Sequence, residues 1–177
     1  LAPTDYIDLV GLWNDPVNAF DDDSDYAYLD NPQLNDYLTV SVFPRFEAPY
    51  GGKITGIMVT ADNQLNPSLT WGGKWNTSLS VSIDGGTTFS AERNTGLTTT
   101  KTRRTSGHSG DLWAIDGWSA DALNNEASLA VKFKVSAVGT VSAPPGTTDY
   151  IRLYYIAVNV YYTLPDKSGT YLQTFYF

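Results

Sequence analysis

Between Ile151 and Tyr162 the chain runs IRLYYIAVNVYY, its densest apolar stretch. Tyr154, Ile156, Val158, Val160 and Tyr162 fall on one side of an extended chain, and Tyr155, Ala157, Asn159 and Tyr161 on the other, because side chains in a strand alternate faces. One dry face and one partly wet face predict a strand in the middle of an antiparallel sheet, and a period of two excludes the 3.6-residue repeat of a helix.

The same alternation recurs along the chain. Tyr37 to Phe43 sets Leu38, Val40 and Val42 against Thr39 and Ser41. Lys53 to Ala61 is a strand whose apolar phase shifts around Gly56, which predicts a bulge or a close backbone approach. Thr77 to Ile83 points Leu79, Val81 and Ile83 inward. Asp84-Gly85-Gly86 then supplies a tight turn with positive φ, after which Thr87 to Arg93 should return antiparallel. Thr98 to Arg104 reads as an exposed threonine-rich strand, Ala127 to Ala137 as a long one with Leu129, Val131, Phe133 and Val135 on one face, and Thr170 to Phe177 as a last aromatic strand. A short strand is expected near Tyr26 to Leu29. Residues 62–76, 105–125 and 138–148 read as loops, with one helical turn capped by Ser119. About eight or nine short strands, punctuated by Gly, Pro and Asn and almost free of helix, predict an all-β, antiparallel two-sheet sandwich of jelly-roll type. Residues 11–163 form its single domain, residues 1–10 an N-terminal arm or edge strand, and residues 164–177 a tail strand that a neighbouring copy can exchange.

Composition narrows the function. The 177 residues carry 19 acidic against 11 basic side chains, a net charge of −8, so nucleic acid and anionic membrane surfaces are poor partners. No cysteine is present, which excludes disulfides and thiolate zinc sites. No apolar run reaches membrane-spanning length. The chain starts at Leu1 without a signal-peptide pattern, so either an upstream segment has been removed or the numbering begins inside a longer chain. Twelve Tyr and five Trp suit both sandwich cores and contact surfaces.

Candidate sites are few, and each has a plain structural alternative. Asp21, Asp22, Asp23 and Asp25 cluster as hard oxygens for calcium, although the spacing is not that of an EF-hand, and acidic runs are usually just solvated. Trp71 and Trp75, flanking Gly72-Gly73, either stack on a sugar or partner, or fold back to cap the sandwich. Lys101, Arg103 and Arg104 form a basic cluster, which either meets an acidic patch on another copy or guards an edge strand. His108, the only histidine, lies too close in sequence to Ser106, Ser109 and Asp111 for a hydrolytic triad, and no spacing selects a pair of carboxylates for glycoside cleavage. Tyr171, Leu172, Phe175, Tyr176 and Phe177 follow Pro165 and Gly169, so this strand either swings out to a neighbour's sheet edge or closes its own sheet. No catalytic constellation and no required cofactor emerge.

The order of several short motifs resembles a β-sandwich domain of phage structural and tail-associated proteins. Trp13-Asn14-Asp15-Pro16-Val17-Asn18-Ala19 precedes an acidic turn, with Asp15 inserted between Asn and Pro. Ile54 to Ile57 (ITGI), Asp84 to Gly86 (DGG), Asp111 to Trp113 (DLW), Trp118 to Ala120 and Val158 to Tyr162 follow in the expected order. The resemblance spans about residues 11–163 and implies a non-enzymatic structural subunit of a virion or extracellular assembly, whose partners are copies of itself and other assembly proteins. Trp113 and Trp118 match its pattern and are expected in the core. The competing expectation is an extracellular or cell-surface module that binds glycans or receptors through the Trp71/Trp75 loop.

Overall fold

The structure is a computed structural model and describes residues 6–7, 13–20, 24–30, 32, 34–41, 52–65, 75–125, 128–137, 150–165 and 167–176. Its strands are β1 (Tyr6–Ile7), β2 (Trp13–Asn14), β3 (Ala27–Asp30), β4 (Tyr37–Ser41), β5 (Lys53–Leu65), β6 (Trp75–Ser82), β7 (Arg93–Asn94), β8 (Thr102–Gly107), β9 (Ala130–Ala137), β10 (Tyr150–Leu164) and β11 (Lys167–Tyr176). Helix is confined, among the described residues, to a 3-10 turn at Pro16–Ala19 and to α1 (Ala120–Asn124), where the Ser119 hydroxyl accepts from the Ala122 N–H at 3.0 Å.

All described pairings are antiparallel. One sheet runs β1-β4-β9-β6-β7 and the other β2-β3-β10-β5-β8, with β11 also on β10. Renumbering β3 to β10 as strands one to eight, the sheets read two-seven-four-five and one-eight-three-six. This is the jelly-roll order, in which the chain wraps so that its first and last strands lie side by side. β1, β2 and β11 extend these two four-stranded cores.

Alternate residues of both sheets fill the space between them. Leu38, Val40, Ile57, Val59, Leu79, Val81, Val131, Phe133, Val135, Val158 and Val160 are fully buried, and Trp13 sets its ring edge-on to Phe133 at 5.9 Å. Each such side chain contributes about 1.5–3 kcal/mol on burial.

The central strand departs from the simple alternation. Leu153 pairs with Asn63 and Tyr155 with the adjacent Asp62, so Tyr154 is an extra residue, a β-bulge. Ile151 and Leu153 face the core before the bulge, and Ile156, Val158 and Val160 after it. Tyr154 and Tyr155 leave together on the outer face, where they cluster with Ala157 and Tyr26. The expectation that Tyr154 shares a face with Ile156 is thereby corrected.

A second bulge skips Thr55, next to Gly56. Gly56 also lies so close to the backbone of His108 and Ser109 that a Cβ would overlap it, so both readings of the phase shift apply. The Asp-Gly-Gly turn is formed with φ of 71° at Gly85 and 85° at Gly86.

Several boundaries differ from expectation, among them those of β5, β7 and β8. β5 continues through Asp62-Asn63-Gln64 because Asn63, fully buried, donates from Nδ2 to Thr77 Oγ1 at 2.9 Å and to the Gly96 carbonyl at 3.3 Å. With Asp62 held by Arg103 and Gln64 by the Thr99 carbonyl on the outer face, and Asn63 Nδ2 bonded within the sandwich, this polar strand looks like a loop in sequence. Of the expected return strand 87–93, only Arg93–Asn94 pairs as β7. The edge strand β8 is shifted to Thr102–Gly107, where Gly107 (φ 94°) allows close contact with the Ile57 carbonyl.

Candidate functional site

The outer face of the six-stranded sheet gathers a cluster of tyrosines. On β10, Tyr150 and Arg152 point outward by alternation, and the bulge adds Tyr154 and Tyr155. On and just before β3, Tyr26, Tyr28 and Asp30 alternate outward against the buried Ala27 and Leu29. The register places Tyr150 opposite Asp30, and Arg152 between Tyr28 on one side and Gln64 of β5 on the other. Tyr26 packs its ring against Tyr154 at 5.3 Å and Tyr28 at 6.2 Å. Tyr26, Tyr28, Asp30 and Tyr150 line an open pocket of about 360 Å³.

Arg152 is the polar centre of this group. Its guanidinium carbon lies 4.4 Å from the Tyr26 ring centre and 4.8 Å from that of Tyr150. Nη2 donates to the Tyr150 hydroxyl at 2.7 Å, and Nη1 donates to Gln64 Oε1 at 3.3 Å and the Tyr154 hydroxyl at 3.4 Å. Tyr154 in turn donates to Gln64 Oε1 at 2.5 Å, and Gln64 Nε2 is tied to the Thr99 carbonyl at 2.8 Å. Burial works against the arginine's charge, but the Tyr154 hydroxyl and the neighbouring tyrosines outweigh it and raise its pKa above the ordinary value. The ring faces add cation–π attraction of about 0.5–2 kcal/mol.

A different arrangement closes the sandwich near β7 and β8. Arg93 grips Asp111 bidentately, with the Nη2–Oδ1 contact at 2.9 Å, and stacks 3.9 Å above the buried Trp113 ring. Trp113 donates from Nε1 to the Ile57 carbonyl at 3.0 Å, and Trp118 from Nε1 to the Leu112 carbonyl at 2.8 Å. The Arg93 hydrogen bonds hold the Asp111 carboxyl below its usual range. The DLW motif is therefore a fastening between the two sheets, and Trp113 and Trp118 pack on the core as expected.

The residues singled out in the sequence scatter. Trp75 is the first residue of β6 and only 8% exposed, part of the core and not a loop contact, because the strand begins there and turns its ring inward. Trp71 lies outside the described residues. Lys101, Arg103 and Arg104 do not form one patch. Lys101 lies 4.3 Å above the Tyr154 ring, Arg103 is held by the buried Asp62 carboxylate (Nε–Oδ1 2.8 Å, Nη2–Oδ2 2.9 Å), and Arg104 is on the opposite face beside Gly96. Asp21, Asp22 and Asp23 lie outside the described residues and Asp25 is exposed; no group of three His, Asp or Glu suited to a metal occurs among the described residues. His108 accepts from the Gly110 N–H, while Asp111 is engaged by Arg93, so the two do not form a relay. The tail returns to its own sheet: Tyr171 pairs with Tyr162, Leu172 with Tyr161, Phe175 with Val158 and Tyr176 with Ala157. Phe177 lies outside the described residues.

Sequence reasoning missed Tyr26, Tyr28, Asp30, Tyr150, Arg152 and Gln64. A signal was present: YAYLD and YIRLY both alternate tyrosine or charge with core residues, so each marks one wet, aromatic face.

No family model matches the chain, and no curated protein does. The resemblance to phage structural domains thus reaches no further than a β-sandwich. A solved structure titled "CBM4 structure and function" is similar to this chain over 88% of its length and 87% of the other, at 8% identity and a TM-score of 0.40. No helix among the described residues is long and apolar enough to cross a membrane.

Proposed function

We propose that the protein is a non-catalytic binding module that recognises a glycan through the tyrosine pocket on its six-stranded sheet. The observation that carries this reading is the open pocket of about 360 Å³ lined by Tyr26, Tyr28, Tyr150 and Asp30. Sugar rings present apolar C–H faces edged with hydroxyls. Tyrosine matches both features, with an aromatic face and a polar tip, and the Asp30 carboxylate accepts hydroxyl hydrogen bonds. The role assigned earlier to the Trp71/Trp75 loop passes to these residues. Screening the protein and a Tyr26→Ala/Tyr28→Ala variant on a glycan array tests it. Binding by the parent that the variant loses supports the reading; no binding, or binding unaffected by the two substitutions, overturns it.

A structural subunit of a virion or similar assembly is the second reading. It is favoured by β11, whose Leu172 is 55% exposed on the strand that ends the sheet beside β10. Removing residues 164–177 should then abolish self-association on a sizing column.

A further inference from the structure

Arg152 differs from the cations that fasten the fold through ion pairs. Arg93 is matched by Asp111, Arg103 by Asp62 at 2.8 Å and Lys134 by Glu92 at 2.6 Å. Among the described residues Arg152 touches only neutral acceptors: two tyrosine hydroxyls and one amide oxygen. Its Nε is buried and finds no described acceptor. Arg152 thus has no carboxylate partner among the described residues, and it lies over the rings of Tyr26 and Tyr150 that line the pocket.

We infer that the pocket takes a sugar bearing a carboxylate, a uronate-type residue, with its carboxylate toward Arg152 and the Tyr150 hydroxyl; this rests on the glycan-binding reading. The direction of the hydrogen bonds selects the charge. Tyr154 commits its proton to Gln64 Oε1. Tyr150 accepts from Nη2, and its own proton is committed to no described residue, so it is left for an oxygen in the pocket. A hydroxyl that accepts from a cation becomes a stronger donor, and a donor backed by positive charge prefers an oxyanion to a neutral oxygen. Asp30, one step along the strands, selects for hydroxyls beside that carboxylate, as a sugar acid has and a bare carboxylate lacks. Asp30 and the net charge of −8 also oppose densely charged polymers such as polysulfates.

The test is calorimetric titration of the full chain with oligosaccharides of glucuronate, galacturonate and mannuronate, each beside its carboxyl-reduced neutral counterpart. At least one uronate should bind about tenfold or more tightly than its neutral counterpart, the value of one charge-assisted hydrogen bond. Added salt should weaken the uronate and leave the neutral sugar unchanged. Arg152→Gln should remove the preference and Arg152→Lys keep part of it. Asp30→Asn should raise uronate affinity and lower neutral affinity. Equal affinity for uronate and neutral partners, or a preference that survives in Arg152→Gln, overturns the inference while leaving a glycan-binding module standing. Binding of neither set overturns the glycan reading with it.

Discussion

Two arginines of this chain lie over aromatic rings, and what surrounds them separates architecture from recognition. Arg93 covers Trp113, is clamped by Asp111, and belongs to a corner in which both neighbouring tryptophan N–H groups also have acceptors. Every strong donor there points at another part of the chain, as befits a joint between two sheets. Arg152 holds only neutral acceptors among the described residues and covers Tyr26 and Tyr150, which line an open pocket. An ion pair made within the chain fastens it; a cation left unneutralised at a surface is available to something else.

That contrast breaks most sharply at the corner. Trp113→Ala removes a fully buried indole and should cost about 3–5 kcal/mol in denaturant unfolding. Glycan affinity, measured where the variant is still folded, should be unchanged. Asp111→Asn should cost about 2 kcal/mol at neutral pH by leaving Arg93 without its partner. It should also alter the acid response. The folded-state pKa of Asp111 is depressed, so its stabilisation is present above the ordinary carboxylate pKa and lost as pH falls through the folded value. A plot of stability against pH should therefore be flatter below about pH 4 in Asp111→Asn than in the parent. Gly56→Ala should cost roughly 1–3 kcal/mol, because the new methyl meets the backbone of His108 and Ser109 and one chain must shift.

The opposite signature belongs to the pocket. Arg152→Gln should cost no more than about 2 kcal/mol, the scale of the ring contacts and neutral hydrogen bonds it gives up, while altering binding. If Arg152→Gln instead unfolded the protein, the distinction between the two arginines would be lost.

Much of the fold was legible because burial writes itself as a period of two. Leu79 and Val81, or Val131, Phe133 and Val135, could point only one way. A two-sheet sandwich of jelly-roll type was the expectation from strand number and spacing, and the pairings supply the strand order. What stayed hidden depended on partners distant in sequence. Asn63 looks like a loop residue until Thr77 and Gly96 supply its hydrogen bonds. The bulge at Tyr154 is invisible in IRLYYIAV, because it is set by the register against Asp62 and Asn63. That one extra residue turns two consecutive tyrosines outward, and the pocket exists only when β3 is laid beside β10. Tryptophan drew attention as the usual anchor of a binding loop, yet Trp75 is structural, and the accessible aromatic face is built from tyrosine.

On this reading a ligand binds the tyrosine face of the six-stranded sheet and not the tryptophan corner. Amide chemical-shift mapping during titration with a uronate oligosaccharide tests it most directly. The predicted result is saturable shifts concentrated at residues 26–30 and 150–154, with residues 93 and 111–118 still. Shifts concentrated at the corner or along β11, with residues 26–30 and 150–154 unmoved, would contradict it.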